Sequence, residues 1–266
     1  MTNTTNHPSG NYAAVNGISL YYEVHGTGKP LIMLHGGFGS FEMFSTLSPT
    51  LALNHQVIGV DLYGHGRTAL TDRPLHFEHL ADDIVGLIEH LGFEKADLLG
   101  FSLGGAVALQ TAIHYPERVN NLVLISTPFK RTGWHPEHQA GMAAIAPEIF
   151  LNTPISEDYR RVAPKPEDFP RLVANMREAL SQDYDWTEQV SALKPPTLII
   201  AGDADGLPPS HAVTFFTLLG GGLKDAGWNG EHLVASQLAI LPGATHYNIH
   251  FRADLLLPVL APFLDK

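Results

Sequence analysis

Six short apolar runs, at residues 31–34, 57–60, 98–101, 122–125, 197–201 and 238–241, recur along this chain with little of the polar alternation of a half-solvated strand. A strand that is apolar on both faces must bury both, as in a parallel sheet covered by helices on either side. Helical patterns lie between several of the runs. The clearest places Phe77, Leu80, Ala81, Ile84, Val85, Ile88 and Leu91 at i, i+3, i+4, i+7 spacing and stops at Gly92. Strands alternating with helices define an α/β class, with a mostly parallel central sheet, flanking helices and right-handed crossovers. Ahead of the first run, Asn16-Gly17 separates Ala14-Val15 from the alternating segment that begins at Ile18. That dipeptide favours a type I′ turn, so a hairpin is expected there.

One interval breaks the rhythm. Residues 127–190 carry no strand pattern and hold seven of the chain's 19 prolines, and Pro195-Pro196 marks the return to the sheet. Leu172, Val173, Met176 and Leu180 form a helical stripe inside it. The interval is too short to bury much by itself, so it reads as a helical cap inserted into one domain, with residues 1–126 and 191–266 as the core. A chain of 266 residues with 44% hydrophobic and 16% charged residues can fill such a core, which excludes disorder over most of its length. With 16 Lys+Arg against 27 Asp+Glu, the formal charge is −11. No nucleic-acid partner and no anionic membrane surface are expected, since either calls for clustered cations. No apolar run reaches the length of a membrane span, and the polar stretch from Met1 to Asn11 shows no signal peptide. A cytoplasmic location is therefore expected. The absence of Cys excludes disulfides, a thiolate nucleophile and Cys-ligated metal.

Ligands of open α/β sheets sit outside the carboxyl ends of the strands. The polar residues that follow the apolar runs are His35-Gly36-Gly37, Asp61, Ser102, Asp203 with Asp205, and His246. Gly100-Phe101-Ser102-Leu103-Gly104 reads G-x-S-x-G between a strand and an Ala-rich helical segment. A serine there sits on a tight turn with its hydroxyl above the sheet, and the two glycines let the backbone approach closely. A hydroxyl needs a neighbouring base to become a nucleophile. Of the 15 histidines, His246 is singled out by its place after the last strand run, with His250 second because it falls at or beyond the start of the last helix. The two are spaced like a zinc pair, but residue 247 is Tyr where that motif has Glu, so no metal is expected. The orienting acid follows residues 197–201. Asp205 precedes Gly206-Leu207-Pro208-Pro209, whose prolines suit a helix start, and so lies in the loop reaching over the strand ends. Asp203 stays at the sheet edge, where a carboxylate commonly accepts amides of its own turn. The rival acid position, after 122–125, holds Ser126-Thr127-Pro128-Phe129 and no carboxylate. Oxyanion donors are expected from the Leu103 amide and from the glycine loop after His35. His35 itself and the turn from Asp61 to Arg67 read as scaffold.

Taken together, the His-Gly-Gly loop, the Asp-x-x-Gly-His-Gly turn at Asp61, the Gly-Phe-Ser-Leu-Gly-Gly stretch, Gly-Asp-x-Asp at Gly202 and the late His246 resemble the α/β-hydrolase superfamily, specifically its cap-bearing serine hydrolases. The resemblance implies a Ser102–His246–Asp205 triad, oxyanion donors at Gly37 and Leu103, no cofactor, and cleavage of an ester or related acyl bond in a small-molecule substrate. Dehalogenases and epoxide hydrolases of this fold carry Asp where this chain has Ser102. Phe38, with Trp134, Met142, Ile145 and Phe150 of the cap, supplies an apolar lining that favours uncharged esters of short to medium acyl chain. Hydrolysis of a C–C bond in a ring-cleavage product, or a slow-turnover small-molecule receptor, are the alternatives. Two departures stand out: Thr245 precedes His246 where Gly is common, and residues 220–236 lengthen the path between acid and histidine. That stretch reads as a loop-capped helix or a subunit contact, which leaves a homo-oligomer open.

Overall fold

The apolar runs become strands because each offers one set of side chains to either face of the sheet. The computed structural model describes residues 10–265, and the polar stretch from Met1 falls almost wholly outside them. Among the described residues the strands are β1 (Asn11–Val15), β2 (Ile18–His25), β3 (Lys29–Leu34), β4 (His55–Val60), β5 (Ala96–Phe101), β6 (Val119–Ile125), β7 (Thr197–Gly202) and β8 (Gln237–Leu241). They form one sheet in the order β1-β2-β4-β3-β5-β6-β7-β8. The pairs β1/β2 and β2/β4 are antiparallel and the remainder parallel. The β1/β2 turn has Asn16 and Gly17 at φ of 46° and 79°, the left-handed pair that a type I′ turn requires.

Successive residues point to opposite faces, and both faces are dry through the middle of the sheet. The run 238–241, expected to be buried on both sides, is corrected, because β8 is the edge strand and stays half-buried. Ile32, Leu34, Leu98, Leu122, Leu124 and Ile199 belong to one apolar cluster, whereas Leu31, Met33, Leu99, Val123, Leu198 and Ile200 belong to another. Helices α1 (Ser48–Leu51), α2 (Phe77–His90), α3 (Leu103–His114), α4 (Pro136–Ala143), α5 (Pro154–Val162), α6 (Phe169–Ser181), α7 (Thr187–Ser191), α8 (Pro209–Leu218) and α9 (Ala253–Leu264) supply the covering layers. Leu80, Ile84, Leu87 and Ile88 of α2, with Val107 and Leu109 of α3, close the first face; Leu256, Leu260 and Phe263 of α9 close the second. Gly92 (φ 75°) turns the chain out of α2.

The segment between β6 and β7 contains α4 to α7 and no strand of the sheet. Its Leu172, Val173, Met176 and Phe169 share the cluster that includes Leu62, Tyr63 and Leu70. Arg171 reinforces this seam, donating to the Leu70 carbonyl and pairing with Asp72. Residues 220–236 contain neither helix nor strand. The loop-capped helix expected there is corrected: glycines 220, 222, 227 and 230 have φ between 69° and 84°, a backbone that turns the chain repeatedly.

The loops His35 and Asp61 begin serve as props. His35 Nε2 accepts the Leu62 amide at 3.0 Å while Nδ1–H donates to the Gly36 carbonyl at 2.7 Å. Asp61 accepts the amides of Phe41 and Arg67, each at 2.8 Å. Burial pushes the His35 imidazole down to about 4; burial, with His35 alongside, takes His65 down to about 3. In the unfolded chain both titrate at about 6.5. The unfolded state therefore takes up protons first, so the stability these rings confer is complete above about pH 6.5 and is lost as pH falls toward their folded values. The urea midpoint should drop steadily between about pH 6.5 and about pH 4.5. A flat profile would show that the two rings are not held neutral in the core.

Candidate active site

Ser102 lies between β5 and α3 with φ 52° and ψ −114°, a strained conformation for a residue with a side chain. The turn is possible because of its glycines. A Cβ on Gly100 would lie 2.2 Å from the Gly104 carbonyl oxygen, and one on Gly104 would lie 2.1 Å from that of Leu34. The serine does not cap its helix: its side chain makes no capping hydrogen bond. Instead its Oγ lies 3.1 Å from His246 Nε2. His246 Nδ1 in turn lies 3.0 Å from Asp205 Oδ1. With Nδ1–H donating to the carboxylate, Nε2 is the lone pair that accepts from the serine hydroxyl.

Asp205 is buried and fully engaged. Its Oδ1 also accepts the Gly206 amide at 2.6 Å, while Oδ2 accepts the Ser126 hydroxyl at 2.5 Å and the Gly202 amide at 3.1 Å. Burial alone would raise this carboxyl, but hydrogen bonds from His246, Ser126 and Gly202 outweigh it and hold the group below its ordinary range. Ser126 thus occupies the sheet position where an acid could stand, and it supports the acid supplied from the neighbouring strand. Its place directly after β6 was the available signal, and a search for carboxylates passes over it.

Asp203 behaves differently from the sequence expectation. Its Oδ1 accepts the Gly243 amide at 2.8 Å, in the loop that carries His246, and not an amide of its own turn. The correction follows from topology: β7 and β8 are parallel neighbours, so the loops leaving them run side by side. The Asp203 amide donates to Leu241 and that of Ala204 to Ala244, which completes the join. Thr245 is held by its own turn, its amide donating to Asn248 Oδ1 at 2.8 Å. His250 sits in a short turn before α9, its ring 4.9 Å from that of Phe101, and makes no hydrogen bond with Ser102.

These groups open into a cavity of about 750 Å³. Gly37 and Leu103 line it, and among the described residues neither amide has a protein acceptor. Phe38, Trp134, Met142, Ile145 and Phe150 all line it as well, as do Met176, Leu180 and Tyr184. None of the described lining residues is Lys or Arg, and Glu42, Glu137 and Asp158 are the charged ones. His138 also lines the cavity, 5.0 Å from the His246 ring between centroids. Sequence pattern gave no cue to it, since α4 shows no amphipathic stripe.

Residues 29–149 match a family model described as the alpha/beta hydrolase fold. The chain is 31% identical over 229 residues, 77% of its length and 85% of the relative's, to the protein named "Putative carbamate hydrolase RutD" in Variovorax paradoxus. It is 26% identical over 259 residues, 86% of this chain and 92% of the other, to a pimeloyl-(acyl-carrier protein) methyl ester esterase of Nitrosomonas europaea. A solved thermophilic esterase from Thermogutta terrifontis superposes with a TM-score of 0.73 at 24% identity, covering 97% of this chain and 98% of that one. The chain belongs to the α/β-hydrolase family.

Proposed function

We propose that this α/β hydrolase is a serine esterase that cleaves uncharged carboxylic esters of short to medium acyl chain. The observation that carries the reading is the hydrogen-bonded file from Ser102 through His246 to Asp205, opening directly into an apolar cavity. In this reading His246 Nε2 takes the Ser102 proton as Oγ attacks the ester carbonyl. The amides of Gly37 and Leu103 receive the developing oxyanion, and Asp205 stabilises the imidazolium that forms. His246 then gives its proton to the departing alkoxide, releasing the alcohol and leaving Ser102 acylated. A water deprotonated by His246 attacks the acyl-enzyme, and collapse of that second oxyanion returns Ser102 its proton and releases the acid. Residues 127–190 act as the cap that supplies most of the apolar wall.

Acyl preference follows from the lining. Each buried methylene contributes roughly 0.8 kcal/mol, whereas an anionic acyl group would find no cation among the described lining residues, Arg67 and Arg161 nearby being already paired with Glu42 and Asp158. The test is a panel of aryl esters graded in acyl length and including dicarboxylate monoesters, run with wild type and Ser102→Ala. Neutral esters should exceed their carboxylate-bearing counterparts in kcat/KM by at least about tenfold. Preference for the monoesters would contradict the reading.

A further inference from the structure

His138 is an imidazole that the triad does not use, built into the wall beside it. Four observations show that its place is prepared. Its ring stacks on Trp134 at 4.6 Å and 21°. The ring stands edge-to-face against His246 at 5.0 Å. The start of its helix is tied to the acid loop, the His135 amide donating to the Gly206 carbonyl at 2.9 Å. Gly206, next to the acid, makes the room: a Cβ there would meet His138 Nδ1 at 2.7 Å and Cε1 at 2.9 Å. Yet among the described residues neither ring nitrogen has a hydrogen-bond partner, and the residue lines the cavity. His250, the other spare imidazole nearby, is different. Its Nδ1 is buried without a partner and its ring lies against Phe101 and Phe251, so that nitrogen is closed to a ligand.

Resting on the esterase reading above, we propose that His138 is a specificity-determining residue that hydrogen-bonds a polar atom in the alcohol portion of the ester. His246 must reach the leaving oxygen to protonate it, so groups attached to that oxygen lie beside the rings that surround His246. Those rings are Phe101, Trp134, His138 and Tyr247. Phe101 is apolar, Tyr247 is largely exposed and the Trp134 indole can only donate, so His138 is the ring among them that can both donate and accept beside the leaving oxygen. Burial and the nearby His246 hold it at about 4, so at neutral pH it is an uncharged donor and acceptor. The two ring centres lie 5.0 Å apart, so one short alcohol group can meet both rings. In this proposal a spacer of two carbons separates the leaving oxygen from the atom held at His138. The preferred alcohols therefore carry an ether or hydroxyl oxygen at that distance.

The test compares 2-methoxyethyl butyrate with n-butyl butyrate, which match in length and differ by one oxygen. Each kcat/KM is divided by the ester's alkaline hydrolysis rate to remove intrinsic reactivity. Wild type should favour the methoxyethyl ester by about five- to tenfold, the worth of one neutral hydrogen bond. His138→Phe should bring the ratio close to one, and His138→Gln, which keeps an N–H, should retain part of it. His138→Leu carries the comparison if the Phe variant does not fold. A wild-type ratio near one, or a preference that survives in His138→Phe or His138→Leu, overturns the role of His138 while the esterase reading stands. A wild type inert toward these esters and toward aryl esters overturns the esterase reading itself.

Discussion

Ser102→Ala should lower kcat for a good aryl ester by roughly 10⁴- to 10⁶-fold, the scale seen when a triad nucleophile is removed. The residual rate would come from binding and from the Gly37 and Leu103 amides, which the substitution leaves in place. Stability should change by less than about 1 kcal/mol. One hydroxyl is lost, its partner His246 keeps the bond to Asp205, and alanine meets the same positive φ that serine does. The comparison needs kcat and the urea midpoint from one preparation. A folded variant with more than about a tenth of normal turnover would remove Ser102 from the nucleophile position.

Asp205→Asn should lower kcat by several hundred-fold or more, approaching the roughly 10⁴-fold loss known for the equivalent change in a serine protease. With its NH₂ toward His246 the amide donates to Nδ1, which moves the ring proton to Nε2 and removes the lone pair facing Ser102. Turned the other way it accepts Nδ1–H but lacks the charge that stabilises the imidazolium. The surroundings add a second cost. Each carboxylate oxygen accepts a backbone amide, Gly206 on one and Gly202 on the other. Whichever way the asparagine lies, its NH₂ group meets a buried N–H donor, a loss of about 1–3 kcal/mol. Asp205→Asn should therefore be slower and also less stable. Asp203→Asn is the control. It weakens one exposed hydrogen bond to Gly243 and should cost at most about 1 kcal/mol with near-normal turnover. The reverse result, an inactive Asp203→Asn and a competent Asp205→Asn, would move the acid to Asp203.

How much of this was legible in the sequence depended on whether a residue's role is set by its own strand or by a neighbouring one. Ser102 and Asp205 follow the buried strands β5 and β7 and His246 follows the half-buried edge strand β8, so placing the strands was enough to put them along one sheet edge. The two-faced burial of Leu31 to Leu34 or Leu122 to Ile125 is likewise a local property, visible as an apolar run. Ser126 and Asp203 required knowledge of strand adjacency. Ser126 reaches Asp205 because β6 lies beside β7, and Asp203 reaches Gly243 because β7 lies beside β8. His138 was hidden more deeply. It stands on a helix without an apolar stripe, and its meaning depends on the space left by Gly206 some seventy residues later. The turns of 220–236 escaped for a related reason: a glycine run fits both a helix end and a winding loop until the φ values are known.

The central claim is that Ser102 is the nucleophile, activated through His246. The most direct measurement is organophosphate labelling of wild type followed by peptide mass mapping, with His246→Ala labelled in parallel. A single phosphoryl adduct is expected on the peptide that contains Ser102, formed at least about 10³-fold more slowly in the folded His246→Ala variant. An adduct on another residue, or equally fast labelling of Ser102 without His246, would contradict it.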